Sequence, residues 1–405
     1  MDKIFGFVSE NAKNDNMSEL HAMFGDPDYK LFTVASSDLA EFIKDRDFDG
    51  LNIDAQYGKR VMPLLSKNSE SARRLGYVNT VYKLHDGKLY GDNTDIFGFS
   101  YMLDFLSIDV EGKYCVIIGE GGSAPAVKAV LTERKAHRVE TLNLGKLSSI
   151  SKHSDCEIII NASNIGKGEK IGISPISLEG LDKLACVIDL ICDPMKTALL
   201  MDAEGRGIAA YNGIPMLVAQ TKKSRELFYF ATIEDKYIPP VIARYTGCAL
   251  NISLIGLPGC MKDEVGARLA EKLGRKLYDL DKTIERLYGK TRDEMINVNG
   301  IAEFRRAEHV AAEWAGKRRG IIISAGEGIV ERADNLRPLA QNGIIVFLNR
   351  SESLIDKSKY SFYSDSSDVE RNALIEKYRS WCHAEITNDG DAESAVQSIL
   401  SCISL

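Results

Sequence analysis

The sequence predicts an α/β protein built from three domains. Two glycine-rich segments, at 119–122 and 256–262, each follow a short apolar run and precede a helical pattern, which is the arrangement of a βα unit in a parallel sheet. Further apolar runs alternate with helical stretches on both sides of these segments. The length of 405 residues suits two or three domains of ordinary size.

Composition argues against several classes of protein. With 44% hydrophobic and 27% charged residues, the chain has the composition of an ordinary globular protein. The net charge of −7 is opposite to the basic surface that non-specific nucleic-acid binding requires, so we expect no nucleic-acid partner. No apolar run approaches about 20 residues and no signal peptide opens the chain, so we expect no membrane span. Eight scattered cysteines without a Cys-x-x-Cys pair predict reduced thiols, no metal site and a cytoplasmic location.

The positions of the apolar runs give the domain boundaries. Residues 1–100 carry runs at 4–8 and 30–34 and are predicted to form a first α/β domain. Residues 101–235 carry runs at 113–119, 139–142, 157–160 and 186–191, which predict a doubly wound parallel sheet with a helix returning at its end. Residues 236–249 contain a Pro-Pro pair and little periodicity, and we interpret them as a linker. Residues 250–405 carry runs at 250–255, 321–324 and 344–348 and form the last α/β domain.

The first glycine-rich segment predicts a dinucleotide site. Gly119, Gly121 and Gly122 stand between a strand and a helix that starts at Ala124, where glycines let a pyrophosphate approach the backbone and the helix N-terminus attracts it. The alternative is a glycine-rich turn without a ligand. About 20 residues further on, a carboxylate usually holds the ribose of NAD, or an arginine the phosphate of NADP. The chain has Asn143 followed by Leu-Gly-Lys there, so we expect NAD(P) without a choice between the two.

The second glycine-rich segment is close to the P-loop pattern G-x-x-x-x-G-K-[ST]. Gly256, Gly259 and Lys262 keep the frame of that loop. Met261 replaces the glycine before the lysine, and Asp263 replaces the hydroxyl residue that holds Mg²⁺. We therefore expect binding of Mg-ATP to be weak or absent, unless Asp263 itself ligates the metal.

Ordered motifs make the two halves similar to two known families. Residues 1–235 resemble the shikimate dehydrogenases through Gly-Tyr-Val-Asn-Thr at 76–80, Gly-Asp-Asn-Thr-Asp-Ile-Phe-Gly at 91–98, Asn-Ala-Ser at 161–163, Asp-Leu-Ile-Cys-Asp-Pro-Met-Lys-Thr at 189–197 and Asn-Gly-Ile-Pro-Met-Leu-Val-Ala-Gln at 212–220. Residues 250–405 resemble the shikimate kinases through the P-loop, Asp-Leu-Asp at 279–281, Phe-Arg-Arg-Ala-Glu at 304–308, Gly-Glu-Gly at 326–328 and a late arginine at 379.

The first resemblance implies a cleft between the first two domains. There the family moves a hydride between a nicotinamide and a ring carbon, while a Lys–Asp pair manages the proton on the reacting oxygen. Asp95 matches the aspartate. Gly58 falls on the lysine position, so Lys59 either reaches the cleft through a bulge or is a surface lysine. In the segment that grips the substrate carboxylate with two serines, this chain has Asp15 and Met17 and keeps Ser18. Other pocket residues that the resemblance implies are Asn52, Asn79, Tyr211 and Gln220.

The second resemblance implies a shikimate site. Asp281 matches the residue that takes a ring hydroxyl, and Arg305 and Arg379 match the arginines that pair with the substrate carboxylate. Gly326 and Gly328 belong to the neighbouring glycine turn, in which Glu327 introduces an additional negative charge. The segment 351–370 contains no arginine to close over ATP, which also predicts loss of kinase activity.

The altered motifs in both halves leave three hypotheses for function. The favoured one is a pseudoenzyme, catalytically impaired in both halves, that binds a shikimate-like metabolite or a protein partner, either a second copy of itself or a pathway enzyme. The second is an active bifunctional shikimate 5-dehydrogenase and shikimate kinase of aromatic amino-acid biosynthesis. The third is a dehydrogenase of altered substrate or cofactor joined to an inactive kinase domain.

Overall fold

The computed structural model describes residues 3–12, 17–45, 47–360 and 366–403. The chain divides into two compact units. Unit 1 comprises Met1–Cys192 and Thr197–Tyr245, and unit 2 comprises Asp193–Lys196 and Thr246–Leu405. Unit 1 contains two β-sheets and unit 2 contains one.

The first sheet of unit 1 is mixed. Its strands are β1 (Phe5–Ser9), β2 (Lys30–Thr33), β3 (Gly50–Ile53), β4 (Lys67–Asn68), β5 (Thr80–Lys83) and β6 (Leu89–Asp92). They lie in the order β2-β1-β3-β5-β6-β4. Strand β1 is parallel to β2 and β3, whereas β5 is antiparallel to both of its neighbours. Val8, Leu51 and Ile53 are buried in the core under this sheet.

The second sheet of unit 1 is parallel throughout. Its strands are β7 (Tyr114–Ile118), β8 (Arg138–Leu142), β9 (Ile158–Asn161), β10 (Cys186–Asp189) and β11 (Ala209–Asn212), in the order β11-β10-β9-β7-β8. All five residues of β7 are buried, with Cys115 and Ile117 in one core cluster and Val116 and Ile118 in another. Both faces are therefore covered, as expected for a doubly wound sheet. The strand order reverses between β7 and β9, which marks the ligand crevice of such folds.

The sheet of unit 2 is also parallel. Its strands are β12 (Asn251–Ile255), β13 (Leu277–Asp279), β14 (Ile322–Ser324), β15 (Gly343–Asn349) and β16 (Ala384–Thr387), in the order β13-β14-β12-β15-β16. The central strand β12 is fully buried and leads directly into the second glycine-rich segment. Its Ile252 and Leu254 pack in one cluster with Leu269 and Ile399 from two helices.

The helices connect these strands. Those of unit 1 are α1 (Met17–Met23), α2 (Leu39–Asp45), α3 (Ala55–Val61), α4 (Glu70–Leu75), α5 (Asp95–Phe105), α6 (Ala124–Glu133), α7 (Ala198–Gly205), α8 (Ile214–Tyr229) and most of α9 (Ile238–Ala249). Those of unit 2 are α10 (Lys262–Leu273), α11 (Leu280–Tyr288), α12 (Arg292–Asn299), α13 (Ile301–Gly316), α14 (Leu336–Ala340), α15 (Asp368–Trp381) and α16 (Ala392–Ile403). Within the described ranges, no helix is both long and apolar enough to cross a bilayer.

The segment interpreted as a linker is helical. Helix α9 starts at Ile238 and takes up Pro239 and Pro240 in its first turn. Proline is tolerated there because the first N–H groups of a helix have no carbonyl partner within it. The border between the two units falls at Tyr245 and Thr246, inside this helix.

Candidate active sites of the two units

Asp95 is the centre of a buried polar group in unit 1. It starts helix α5 and is 4% exposed. Asn79 donates from its Nδ2 to the Asp95 Oδ1 at 2.7 Å, and Gln220 donates from its Nε2 to the same oxygen. Tyr77 donates its hydroxyl proton to the other carboxylate oxygen. Burial raises the pKa of Asp95, while the hydrogen bonds from Tyr77, Ser123 and Asn79 oppose that rise.

Close helix packing explains why Gln220 reaches Asp95. Gly98 lies one turn beyond Asp95 on the same face of α5, and a Cβ there would lie 2.5 Å from the Gln220 Cγ and 2.9 Å from the Met216 carbonyl oxygen. The glycine lets α8 pack directly on α5. The sequence distance of 125 residues between Asp95 and Gln220 is thereby closed by one packing contact.

Among the residues that the structure describes, no lysine donates to Asp95. Lys59 is exposed on α3. Gly58, at the position of the family lysine, is buried, and a Cβ there would lie 2.4 Å from the Val78 carbonyl oxygen and 3.1 Å from the Tyr77 ring. The bulge that would deliver Lys59 is therefore absent from the helix that the structure describes.

Tyr77 fills the space next to Gly58. It is 3% exposed and packs in a small cluster with Leu75 of α4 and Ala126 of α6. Burial, followed by the charge of Asp95, raises its pKa far above the ordinary value of a phenol. Tyr77 is therefore a neutral hydrogen-bond donor to Asp95 at physiological pH.

Asn52 serves an internal network. Its Oδ1 accepts from the Tyr29 hydroxyl at 2.8 Å and lies 3.1 Å from the His21 Nε2, while its Nδ2 donates to the Ser224 hydroxyl at 2.7 Å. Asn52 is 7% exposed, so its side-chain amide makes its hydrogen bonds inside unit 1. Tyr211 lies on β11 and packs on the core of the second sheet. Among the described residues, it is not part of the hydrogen-bonded group at Asp95. Asp15 lies outside the described residues.

The first glycine-rich segment lies at the reversal of strand order. Gly119 has a φ of +98° and follows β7, and a Cβ there would lie 3.0 Å from the Ser163 Cβ after β9. Gly121 has open space around its Cα, and Gly122 approaches Ala55 of α3. This backbone and the N-terminus of α6 fit a pyrophosphate. Asn143 precedes the 3-10 segment Leu144–His153, whose Leu144 is 47% exposed where a ribose contact is expected.

The P-loop of unit 2 is filled by the protein itself. Met261 has a φ of +64°, so it keeps the left-handed conformation that favours glycine. The Lys262 Nζ donates to the Gly256 carbonyl at 2.7 Å instead of pointing outward. Asp263 accepts from the Ser324 hydroxyl at 2.9 Å, and the side chain of Ile355 covers Gly259. These residues do not fit the triphosphate of ATP.

A cleft of about 1020 Å³ joins the P-loop to the predicted shikimate side. Asp281 and Gly326 line it, and Arg305 lies behind Gly328, where a Cβ would fall 1.9 Å from its guanidinium. The structure thus brings Asp281, Arg305 and the two glycines together. Burial and the nearby charge of Glu327 raise the pKa of Asp281 to about 6. Burial likewise raises the pKa of Glu308 to about 7, against the opposing effect of Arg305.

Arg379 is not brought to this cleft. It lies exposed on α15 and pairs with Glu376 at 2.7 Å and Glu385 at 3.2 Å. Its neighbour Tyr378 points inward and donates to the Glu327 carbonyl oxygen. Successive helix residues differ by about 100° in direction, so both side chains cannot enter the same cleft.

Comparisons with known proteins match a known family in each part of the chain. Residues 258–404 match the family model described as shikimate kinase. The N-terminal part is 28% identical over 250 residues to the shikimate dehydrogenase (NADP(+)) of Clostridium perfringens, covering 56% of this chain and 92% of that protein. It is 31% identical over 234 residues to the shikimate dehydrogenase (NADP(+)) of Sphingopyxis alaskensis, covering 52% of this chain and 84% of that protein. The chain belongs to the shikimate dehydrogenase family.

A solved structure supports the same assignment. A chorismate mutase/shikimate 5-dehydrogenase fusion protein from Clostridium acetobutylicum matches with a TM-score of 0.56 and 28% identity, over 60% of this chain and 97% of that chain. The N-terminal part of the chain therefore has the shikimate dehydrogenase fold, and a shikimate kinase region follows it. The resemblance that the motifs indicated is confirmed for both halves.

Sequence reasoning missed two residues of these candidate sites. Tyr77 stands where the family motif has alanine, and its role depends on the loss of a side chain at Gly58. Arg292 lies outside the quoted motifs and forms a bidentate ion pair with Glu327. Both could have been suspected, because a missing lysine leaves Asp95 in need of a donor, and a buried Glu327 needs a cation.

Proposed function

We propose that this chain is a shikimate-pathway fusion protein that binds a shikimate-type ring ligand and is catalytically impaired in both halves. The observation that carries the proposal is the hydrogen bond from Tyr77 to Asp95 next to Gly58. It replaces the Lys–Asp pair of the family with a neutral donor and a carboxylate.

The missing cation matters because charge develops on the reacting oxygen. The donors that Asp95 uses, Tyr77, Asn79 and Gln220, are all neutral. A unit cation about 4 Å from a developing oxyanion stabilises it by about 4 kcal/mol at an effective dielectric constant of about 20. Its loss corresponds to a rate lower by roughly a thousandfold.

The kinase half lacks its charge neutralisation as well. Phosphoryl transfer depends almost wholly on positioning and on cations around the phosphates. Lys262 is bound to a carbonyl of its own loop, and Asp263 adds a carboxylate at the N-terminus of α10. Mg-ATP is therefore expected to bind weakly or not at all.

The hydroxyl-binding groups are better preserved. Asn79, Asp95 and Gln220 form one group in unit 1, and Asp281 lines the cleft of unit 2. The relatives named above are NADP(+)-dependent, and Gly119–Gly122 would hold the pyrophosphate of NAD(P) in this chain. Bound NAD(P) would supply a hydride donor or acceptor. We place the protein in the cytoplasm, as a homodimer or with another enzyme of the pathway.

The test is to measure binding and turnover on the same full-length preparation. Shikimate, 3-dehydroshikimate, NADP(H), NAD(H) and Mg-ATP are titrated by calorimetry, while reduction and ATP consumption are followed optically. Binding of a ring ligand with turnover at least a thousandfold below an ordinary rate of about 1–10³ per second is expected. Asp95→Asn and Asp281→Asn locate the two sites, and exposed Asp86→Asn is the matched control. Ordinary turnover that Asp95→Asn removes would refute impairment of the first half.

A dehydrogenase of altered chemistry is the second candidate, favoured by the same hydrogen bond. A substrate hydroxyl could pass its proton to the Tyr77 oxygen as Tyr77 passes its own proton to Asp95. This relay needs no cation and no phenolate intermediate. It requires that Tyr77→Phe abolish turnover with little change in substrate binding.

A further inference from the structure

Both arginines near the cleft of unit 2 already hold carboxylates of the protein. The Arg292 Nη1 donates to the Glu327 Oε2 at 2.9 Å, and its Nη2 binds the other carboxylate oxygen. The Arg305 Nε donates to the Glu331 Oε2 at 2.7 Å, and its Nη1 donates to the Glu308 Oε2 at 3.0 Å. Both Nη atoms of Arg292 are thus engaged by a carboxylate, and its Nε is the one atom of that guanidinium without a partner among the described residues.

Glu327 is held firmly in this position. It is 6% exposed, and the buried Tyr378 donates to its carbonyl oxygen. The next residue, Gly328, leaves no room for a Cβ against the Arg305 guanidinium. The turn is therefore clamped, and the Glu327 side chain is directed to Arg292. Glu327 thus supplies the carboxylate that a shikimate-type acid would otherwise bring.

Two of the three unsatisfied side-chain atoms described at the cleft are acceptors, and the third is the donor Nε of Arg292. Asp281 Oδ1 and Glu308 Oε1 are buried and lack a hydrogen-bond partner in the part of the chain that the structure describes. The Glu308 side chain is fully buried. The two oxygens converge on Gly326, which lines the cleft, because a Cβ there would lie 3.2 Å from the first and 2.9 Å from the second. Buried carboxylate oxygens without partners require donors.

The lining of the cleft is acidic as a whole. Among the described residues, the lining contains six carboxylates and two cations: Asp263, Glu264, Asp279, Asp281, Asp293 and Glu327, with Lys262 and Arg292. Two of the carboxylates also have cationic partners outside the lining, Arg268 for Glu264 and Lys282 for Asp279. Lys262 is bound to the Gly256 carbonyl and Arg292 to Glu327. Within the part of the chain that the structure describes, a further anion would therefore meet a net negative charge and a single unpaired guanidinium N–H, that of the Arg292 Nε, whereas an ammonium or a set of hydroxyls would find acceptors.

We propose that this cleft selects a polyhydroxylated ring ligand that carries no negative charge, neutral or bearing an ammonium group, and that Glu327 determines this selectivity. The proposal rests on the proposed function, in that it takes this cleft as a ligand site. It goes beyond it in excluding carboxylate-bearing and phosphate-bearing ligands from the cleft. The hydroxyls would donate to Asp281 and Glu308 next to Gly326.

The test compares one ring with and without its charge. Shikimate and its neutral methyl ester present the same hydroxyls, and both are titrated into the full-length protein by calorimetry. The wild type is expected to bind the ester at least about tenfold more tightly than the acid at the site that Asp281→Asn removes. Glu327→Gln keeps the size of the side chain and Glu327→Gly restores the family residue, and both are expected to reverse the preference by freeing Arg292. Exposed Glu303→Gln is the matched control, since its partner Arg306 is also exposed.

Three results would overturn the inference. The wild type could bind the acid as tightly as the ester, the preference could persist in Glu327→Gln, or neither compound could bind at a site that depends on Asp281. Hydrogen exchange of α15 and β14 in each variant shows whether the unit is folded, and Glu327→Gln serves if Glu327→Gly is not. Turnover tests the proposed catalytic impairment separately from this inference. A protein that reduces 3-dehydroshikimate or consumes ATP is free to bind either shikimate or its methyl ester more tightly.

Discussion

Replacing Tyr77 by phenylalanine tests the central contact of unit 1. The ring that packs on Leu75 and Ala126 is kept, and only the hydroxyl that donates to Asp95 is removed. Asp95 keeps its donors from Asn79, Gln220 and Ser123 and loses only the Tyr77 hydroxyl. The change therefore isolates a single hydrogen bond to a buried carboxylate.

The magnitude follows from the charge of the acceptor. A hydrogen bond to an ionised group contributes about 1.5–3 kcal/mol, and one between neutral groups about 0.5–1.5 kcal/mol. Burial already raises the pKa of Asp95, and the hydroxyl of Tyr77 opposes that rise, so the variant should have a still higher pKa. Relative to the wild type, Tyr77→Phe should lose stability as the pH rises through these pKa values. We expect a loss of about 2 kcal/mol above them and about 1 kcal/mol below them.

Tyr57→Phe is the matched control. Tyr57 is 1% exposed and donates its hydroxyl to the Val34 carbonyl oxygen at 2.6 Å, which is a neutral acceptor. Its loss of about 1 kcal/mol should not change with pH in the acid and neutral range. Urea unfolding at a series of pH values gives both numbers, and hydrogen exchange of α5 and α3 assigns them to unit 1.

A loss for Tyr77→Phe that is as independent of pH as that of Tyr57→Phe would refute the reasoning. It would mean that the phenol does not donate to an ionised Asp95. Activity gives a second check on the same variant. Turnover in the wild type that Tyr77→Phe abolishes would favour the proton relay over impairment.

Three further variants test the packing and the electrostatics. Gly58→Ala should destabilise unit 1 by about 1–2 kcal/mol in urea unfolding, because its Cβ would lie 2.4 Å from the Val78 carbonyl oxygen. The cost of this clash exceeds the gain of about 1 kcal/mol in helix propensity. Gly121→Ala is the control, since its Cβ would meet open space, and it should change stability by less than about 0.5 kcal/mol. Glu308→Gln should flatten the dependence of the free energy of unfolding of unit 2 on pH. In the wild type the pKa of Glu308 is raised from 4.5 to about 7, so its contribution to stability is present below pH 4.5. About 3 kcal/mol of stability is lost as the pH rises through 7. Met261→Gly should not by itself restore Mg-ATP binding in calorimetry. A dissociation constant below about 1 mM for Mg-ATP in this variant would contradict the view that several groups close the P-loop.

The fold was largely predictable because its parallel strands are buried on both faces. Such strands appear as continuous apolar runs, and the run at 113–119 became β7 with all five residues buried. Helix α9 was not recognised because Pro239 and Pro240 suggested irregular chain. Their place in the first turn could not be read without knowing where the helix starts.

Residues of the candidate sites were predictable from the sequence only where they lie in a recognised motif and the fold directs their side chains into the site. Asp95 and Gln220 lie in quoted motifs and meet in the structure. Arg379 also lies in such a position, but the phase of its helix directs Tyr378 inward instead. Arg292 matters only through Glu327, so its role depends on a contact across 35 residues that no local pattern records.

The same kind of change appears in both units. In unit 1 the lysine beside Asp95 is replaced by Gly58, and the neutral Tyr77 takes the carboxylate. In unit 2 the cations near the ligand side are taken by carboxylates of the protein, with Glu327 on Arg292. In each unit a cation is absent or paired within the protein, while a carboxylate that can accept hydroxyl donors remains. Burial of a carboxyl group opposes stability, so folding alone gives no reason for the buried Asp95 and the half-buried Asp281 to stand at raised pKa. The retention of Asp281 next to the Arg292–Glu327 pair agrees with the proposed site for an uncharged polyhydroxylated ligand in unit 2, and it makes ligand charge the property that experiments on that unit should vary first.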